Sequence, residues 1–346
     1  MARGGEETPP PRIAEVRRRC LDSTALQGGF AFPEVDDCFH VAGPPVAGVG
    51  GRRAPRLASA RATDRFVPRP LKTARRPPRF LEGGGLRTIG RVDIRVDAAD
   101  GVGTITIDRP AKRNAMSAAM WRALPPLLDD LAADPGVRAV VLTGAGGNFC
   151  AGADISELAD IHRDDESHLA TVAERALAAF PKPTLAAIEG YCVGGGCQLA
   201  AACDLRFAAD GARFGVTPAR LGIVYPAAAT ERLVRLLGPS AAKYLLYSAD
   251  LIDAAHALRI GLLDEVVPAE GLRARVAAFT ATLASRSLLT QRATKEIVDA
   301  AAAGTPTADA AKRWLAEMAA SGEVEEGVAA FLERRAPAFR WTSPIR

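Results

Sequence analysis

Two glycine turns, each placed between an apolar strand and a helix, constrain this chain more than any other feature. The first is the run 149–154 (FCAGAD), and the second is the run 194–197 (GGGC). The predicted strands before them, 137–142 and 184–188, are continuously apolar, which is typical of strands buried on both faces. Two such strand–turn–helix units predict an α/β fold.

The turns also place backbone N–H groups where helices begin. The N–H of Ala153 and the N–H of Gly195 therefore have no acceptor within a helix. Gly195 lies at the positive end of the next helix dipole, where negative charge is favoured. Either turn alone is equally compatible with a simple tight turn. Together, in this order, they predict a site for a negatively charged oxygen, which suits the enolate of a thioester.

The rest of the folded part supports this architecture. A hairpin is predicted from 92–96 and 103–107, and Ser117 is predicted to cap a helix that ends near Ala133. A helix is predicted from Ser156 to about Phe180. Further strands are predicted over 205–208 and 213–215, and almost everything from 239 to 335 is predicted to be helical. The glycine-rich run 144–147 lacks the third glycine of a dinucleotide fingerprint, so it is interpreted as a turn.

The first 88 residues differ from the remainder in composition. They hold eleven of the 24 prolines and sixteen basic against nine acidic residues, whereas the remainder holds twenty-eight against thirty-one. Residues 1–88 are predicted to be a disordered basic extension rich in Pro, Gly and Arg, and 89–346 to be one domain. The slightly acidic domain does not resemble a nucleic-acid binder.

Other classes of protein are also disfavoured by the composition. No run approaches the roughly 20 apolar residues that cross a bilayer, so a cytoplasmic protein without a membrane partner is predicted. The six cysteines form no CxxC pair, which predicts free thiols in a reducing compartment. The four histidines are scattered, and no metal site is predicted.

On these motifs the chain resembles the crotonase superfamily, the enoyl-CoA hydratase and isomerase group. The segments that carry the resemblance are 108–116, 149–158, 188–197, 202–208, 214–215, 221–222, 257–262, 265–268 and 331–339. The resemblance implies a ββα-spiral core, a C-terminal helical region (about 239–336), and assembly into a homotrimer or a dimer of trimers. It also implies an acyl-CoA substrate, with coenzyme A as part of that substrate and no separate cofactor.

The resemblance further implies roles for individual residues. Ala153 and Gly195 would supply the two amides that bind the thioester oxygen. Asp154, Ile155 and Ser156 would lie along the pantetheine and acyl chain. The full implied substrate-binding set is Lys112, Arg113, Asn114, Ala115, Met116, Ala151, Asp154, Ile155, Ser156 and Gly194. Lys112 and Arg113 are predicted to be either phosphate neighbours or ordinary surface charges.

Two positions depart from the hydratase pattern. Hydratases of this family resemble one another in two glutamates that face the double bond, and Gln198 and Pro218 occupy those places here. Hydration needs a base and an acid, and neither residue supplies one, although Gln198 could hold a water molecule. Ordinary hydratase activity is therefore not expected.

The segment 217–225 is similar to the methylmalonyl-CoA decarboxylase branch, in which a tyrosine occupies the place of Tyr225. Tyr225 is either a proton donor or a core aromatic residue. That branch typically carries a histidine where this chain has Ala153. A third reading is a CoA-thioester binder without catalysis. The remaining polar candidates, Glu157, His162 and Glu231, are expected to be structural or solvated.

Overall fold

The computed structural model describes residues 87–88, 92–161 and 168–342. The predicted extension 1–88 therefore falls outside the described residues except for a two-residue strand at its end, and His162 also falls outside them. The strands are β1 (Arg87–Thr88), β2 (Ile94–Ala99), β3 (Val102–Ile107), β4 (Ala139–Gly144), β5 (Thr184–Ile188), β6 (Tyr191–Val193), β7 (Leu205–Ala209), β8 (Arg213–Gly215), β9 (Ile252–Asp253) and β10 (Glu265–Val267).

The helices pack around these strands and dominate the second half of the chain. They are α1 (Ala118–Ala133), α2 (Leu158–Ile161), α3 (Leu169–Ala178), α4 (Gly195–Ala202), α5 (Ala227–Ser248), α6 (Ala254–Arg259), α7 (Leu272–Ser285), α8 (Leu288–Ala302), α9 (Ala308–Ser321) and α10 (Glu323–Leu332). The α/β class and the helical C-terminal region are confirmed. In the described part of the chain, no helix is both long enough and apolar enough to cross a bilayer.

Two sheets organise the strands. The larger sheet has the order β1-β2-β3-β4-β5-β7-β10, in which β1 to β3 are antiparallel and β3 onward are parallel. The smaller sheet has the order β6-β8-β9. Strand β5 is buried along its whole length, as its apolar sequence predicts. Each glycine turn leaves one of these sheets and leads into a helix.

Helix α1 begins where the sequence predicts. The Ser117 hydroxyl accepts a hydrogen bond from Met120 N at 3.3 Å, which satisfies one of the free N–H groups of the first turn. The apolar face of α1 is buried, and it places the fully buried Trp121 beneath the glycine turns.

Several boundaries differ from the prediction. The helix predicted from Ser156 to Phe180 is wrong as one element, because His168 has the non-helical angles φ −57° and ψ 115° and a new helix begins at Leu169. Helix α5 begins at Ala227 rather than near 239, and Gly238, with φ 74° and ψ 164°, interrupts it. The strands β1, β6, β9 and β10, each of two or three residues, were not predicted, and β9 and β10 interrupt the segment 239–335 that was expected to be almost entirely helical. Strands this short carry little periodicity, and of those in the described residues only β8 was predicted.

Candidate active site

The first turn holds Ala153 between two backbone hydrogen bonds. Met116 N donates to Gly152 O at 2.8 Å, and Asp154 N donates to Met116 O at 2.9 Å. These bonds bracket the Ala153 N–H, which donates to no group among the described residues. Gly152 has φ +111°, and a Cβ built there would lie 3.2 Å from Val193 O. The backbone can take this path only because residue 152 is glycine.

The second turn starts helix α4 from a backbone conformation that also favours glycine. Gly194 has φ 53° and donates its N–H to Gly215 O at 2.8 Å, while Gln198 N donates to Gly194 O at 3.1 Å. Gly195 is the first residue of the helix, so its N–H has no intrahelical acceptor. That N–H finds no other acceptor within the described chain.

The two turns lie against each other. A Cβ built on Gly195 would lie 3.3 Å from the Ala153 nitrogen, and one built on Gly152 would lie 3.6 Å from the Gly195 nitrogen. The chain therefore brings two amides that have no partner in the described residues to one place, at the positive end of the α4 dipole. An anionic oxygen is the kind of ligand that such donors stabilise.

A cavity of about 110 Å³ adjoins both turns. It is lined by Trp121, Ala151, Gly152, Ala153, Ile155, Leu158, Ile161, His168, Ala170, Gly194, Gly195, Gln198, Thr217, Pro218, Leu221, Ile223, Tyr225 and Pro226. Most of these side chains are apolar. Among these lining residues, His168 and Tyr225 are the titratable ones. The cavity therefore suits a small apolar group attached to the atom that the amides bind.

Gln198 lines this cavity and is linked to a buried carboxylate. Its Nε2 donates to Glu174 Oε2 at 2.8 Å, and Arg232 Nε donates to Glu174 Oε1 at 2.9 Å. Gln198 is 3% exposed and Glu174 is 0% exposed. The carboxylate is thus held by one charged and one neutral donor, as a buried carboxylate requires.

Tyr225 lines the same cavity as Trp121 and reaches the second turn. Its hydroxyl donates to Gly194 O at 3.4 Å. Removal from water, assisted by Cys197, Glu174 and Cys192, raises the pKa of Tyr225 well above its usual range. The hydroxyl therefore keeps its proton at neutral pH.

Several residues of the implied binding set lie in the loop 112–116 and stabilise that loop. Asn114 and Met116 are fully buried. The Asn114 side chain accepts from Arg109 N and donates to Ala145 O and Asn148 O, so it is occupied internally. Ala115 is half-buried, and its carbonyl accepts from Arg109 Nη1 at 3.1 Å.

The charged residues before this loop face outward. Lys112 and Arg113 are exposed. The Arg113 guanidinium lies 4.9 Å from the centroid of the Tyr191 ring, which is cation–π geometry. Arg113 O accepts from Ala151 N at 3.0 Å, which ties this loop to the first glycine turn.

Asp154 caps the short helical turn that follows the first glycine turn. It accepts hydrogen bonds from Ser156 N (3.1 Å), Ser156 Oγ (2.6 Å) and Arg109 Nη1 (2.7 Å). The Ser156 hydroxyl is therefore engaged with Asp154. Ile155 is 67% exposed, and of these three side chains it is the one that lines the cavity.

The other polar candidates are structural. Glu157 Oε2 accepts from Ala118 N at 2.8 Å and so caps helix α1 rather than its own helix. Glu231 pairs with Arg235 on the exposed face of α5, as predicted.

Buried thiols lie in and near the two turns and, at Cys203, just after the far end of α4. Cys150, Cys192, Cys197 and Cys203 are buried and free. Cys192 Sγ and Cys197 Sγ lie 3.9 Å apart. Burial raises the pKa of Cys150 to about 12 and that of Cys203 to about 12. The predicted Cys20 and Cys38 thiols lie outside the described residues.

Sequence reasoning missed three residues at the site: Trp121, His168 and Glu174. Trp121 belongs to an ordinary apolar helix pattern, and Glu174 is one of many helical acids. Neither position differs from its neighbours in residue type or spacing, so no local signal marks them. In the sequence His168 is only one of four scattered histidines. The prediction of one long helix from Ser156 also conceals the start of α3 next to His168.

Comparison with known proteins assigns this fold to a class of acyl-CoA enzymes. The sequence model of the enoyl-CoA hydratase/isomerase family matches residues 97–342, so the chain belongs to the enoyl-CoA hydratase/isomerase family.

Named relatives and solved structures cover most of the chain. "Probable enoyl-CoA hydratase echA8" of Mycobacterium tuberculosis is 36% identical over 251 residues, which is 71% of this chain and 97% of that protein. "Crotonyl-CoA hydratase" of Syntrophomonas wolfei is 34% identical over 257 residues, which is 71% of this chain and 97% of that protein. The crystal structure of an enoyl-CoA hydratase from Bacillus anthracis is 32% identical with a TM-score of 0.67, covering 71% of this chain and 98% of that one.

Proposed function

We propose that the chain binds an acyl-CoA and stabilises the enolate of its thioester in an oxyanion hole formed by the Ala153 and Gly195 amides. The observation that carries this proposal is the juxtaposition of these two N–H groups, both without a partner in the described residues, beside a small apolar cavity. Each donor of this type contributes ~10²–10³ in rate. The substrate brings its own coenzyme A, so no separate cofactor is needed.

The acyl group would occupy the cavity below the two amides. Ala151 and Gly194 line it through the turns, and Ile155 stands at its exposed edge. The CoA would then leave along the loop 112–116, where Lys112 and Arg113 are exposed and available to its phosphates. Asp154, Ser156 and the buried Asn114 and Met116 would shape this path rather than touch the ligand.

The proton-transfer groups distinguish the reactions open to this site. Gln198 and Pro218 line the cavity. By the resemblance described above, they stand where hydratases of this family carry their two glutamates. Neither exchanges a proton at neutral pH, so hydration by a glutamate pair is not supported. The general assignment is an acyl-CoA enzyme of the enoyl-CoA hydratase/isomerase family.

Tyr225 favours one alternative, decarboxylation of a malonyl-type thioester. The bond between the α-carbon and the carboxylate would break, carbon dioxide would leave, and the electron pair would move onto the thioester oxygen between the two amides. The protonated Tyr225 hydroxyl, which lines the cavity, would then donate its proton to the α-carbon. A further alternative is a CoA-thioester binder that performs no chemistry.

The experiment measures turnover of crotonyl-CoA and of methylmalonyl-CoA by the full chain, together with binding of butyryl-CoA by calorimetry. Hydration at ordinary enzyme rates would contradict the argument from Gln198 and Pro218. Decarboxylation that is lost in Tyr225→Phe with unchanged thioester affinity would favour the alternative. Binding without any turnover would favour the non-catalytic reading, and no binding would overturn the proposal.

Replacing Ala153 with proline tests the oxyanion hole directly. Ala153→Pro removes an N–H that donates to no described group, so the neighbouring bonds of Met116 are kept. We expect turnover of the preferred thioester to fall ~10²–10³-fold. Ala153→Ser, which keeps the N–H, is the matched control and should stay near wild type. Equal activities of the two variants would exclude Ala153 as an oxyanion donor.

A further inference from the structure

Glu174 is a buried carboxylate that the proposed chemistry does not use. It lies on α3, is 0% exposed, and is not part of the cavity lining. Its two oxygens are occupied by Arg232 Nε and Gln198 Nε2, at 2.9 and 2.8 Å. A buried charge is costly to retain, and Glu174 is retained with both of its oxygens hydrogen-bonded.

The carboxylate determines which end of the Gln198 amide faces it. An ionised carboxylate only accepts hydrogen bonds, and it is paired here with a guanidinium. The group of Gln198 that meets Glu174 must therefore be the NH₂. The amide oxygen of Gln198 is directed away from Glu174 by the planar geometry of the amide.

The remaining end of the amide belongs to the cavity. Gln198 lines the cavity, and its Oε1 accepts no hydrogen bond from the described residues. It is not among the buried side-chain oxygens that lack a partner, so it retains accessible surface. The acyl group therefore meets a fixed hydrogen-bond acceptor rather than a rotatable amide.

We propose that Glu174 is a positioning residue that holds the Gln198 carbonyl oxygen toward the acyl group, so that the site prefers acyl thioesters with a hydrogen-bond donor over those with a carboxylate. This inference rests on the proposed acyl-CoA function. A hydroxyl on the acyl chain would donate to Gln198 Oε1. A carboxylate at the same place would face the negative end of the amide dipole and would receive no hydrogen bond from Gln198.

The hydrogen bond between Gln198 and Glu174 therefore disfavours the malonyl-type alternative, whatever the role of Tyr225. A decarboxylase needs to accept a carboxylate in the cavity, and the Gln198–Glu174 arrangement disfavours one. The same arrangement tolerates a neutral acyl group, because such a group carries no negative charge to be repelled by Gln198 Oε1.

The test compares three probes in the full chain by calorimetry: butyryl-CoA, 3-hydroxybutyryl-CoA and malonyl-CoA, each recovered and checked by mass spectrometry afterwards. We expect wild type to bind 3-hydroxybutyryl-CoA about tenfold more tightly than malonyl-CoA. In Glu174→Gln, Arg232 keeps its hydrogen bond to the one side-chain oxygen that remains at position 174, so the new NH₂ faces Gln198 and forces the Gln198 amide to turn. The preference should then fall about tenfold, with butyryl-CoA affinity unchanged.

Two further variants keep the test decisive. Glu231→Gln removes a carboxylate from the exposed face of α5 and should leave all three affinities unchanged. If Glu174→Gln does not fold, Gln198→Leu replaces it, and should lower the preference for 3-hydroxybutyryl-CoA over malonyl-CoA, because the amide oxygen that accepts from the hydroxyl is gone.

The outcomes separate the inference from the function on which it rests. An unchanged ratio in a folded Glu174→Gln, or an unchanged preference in Gln198→Leu, overturns the positioning role. Wild type that binds none of the three thioesters, butyryl-CoA included, overturns the proposed function itself. A wild type that binds malonyl-CoA most tightly contradicts the inference and supports decarboxylation.

Discussion

At the scale of single residues, Asp154 shows how one carboxylate fixes the first glycine turn. Hydrogen bonds from Ser156, and then from Arg109, lower the pKa of Asp154 from its ordinary 3.8 to about 2. Because the folded pKa lies below the unfolded one, the charged form stabilises the fold above about pH 4. This stabilisation is lost as the pH falls through the folded pKa.

The variant Asp154→Asn tests this stabilisation. We expect its unfolding free energy in urea to be below that of wild type at pH 6, and the difference to narrow at pH 3, where part of the charge-dependent term has gone. Asp250→Asn is a matched control, because Asp250 pairs with Arg220 at an exposed position. A gap for Asp154→Asn that is independent of pH would show that charge is not the source of the effect.

At the scale of secondary-structure elements, helix α4 depends on close approach to the first turn. A Cβ built on Gly196 would lie 2.2 Å from Cys150 O, so only glycine lets the helix start here. The approach sets Gly195 beside Ala153. The glycine triplet thus serves packing at Gly196 and backbone conformation at Gly194, and the ligand contact of the Gly195 amide is part of the proposed function.

Gly196→Ala is expected to force the helix away from Cys150. We expect a loss of about 1–3 kcal/mol in unfolding free energy, measured by chemical denaturation, and weaker binding of butyryl-CoA. Gly211→Ala is the control, since a Cβ at Gly211 meets nothing within 4 Å. If Gly196→Ala has wild-type stability and affinity, the close packing of α4 is unimportant.

The elements that the sequence predicts well are those with a strong local signal. The cap at Ser117, the apolar strand β5 and the hairpin of β2 and β3 were predicted because capping and periodicity are local. The strand β10 exists because Glu265–Val267 pairs with β7, and each paired residue lies 58 positions away in the sequence. The candidate site divides in the same way. Its glycines are a local signal in the sequence, whereas Glu174 meets Gln198 only because α3 packs on α4.

At the scale of the whole molecule, the C-terminal helices leave apolar side chains open. Leu315 on α9 and Phe331 and Leu332 on α10 are 60%, 83% and 56% exposed. A surface of this kind suits association with further copies of the chain. The predicted homotrimer or dimer of trimers would cover it.

We expect light scattering on the full chain to give a mass three or six times the 36.3 kDa of one copy. Phe331→Glu should lower that mass, because a charge would be buried in the interface. Leu258→Glu, an exposed position on α6, should not change it. A wild type that runs as a single copy would contradict the predicted assembly.

The thiols behind the glycine turns have a practical consequence. With pKa values raised by burial, Cys150 and Cys192 remain protonated at neutral pH and react slowly with disulfide reagents unless the region opens. In a chain whose Cys20 and Cys38 are replaced by serine, the rate of thiol modification would report how often that region opens. We expect a saturating concentration of thioester to lower this rate. An unchanged rate would mean that the ligand does not hold these two turns together.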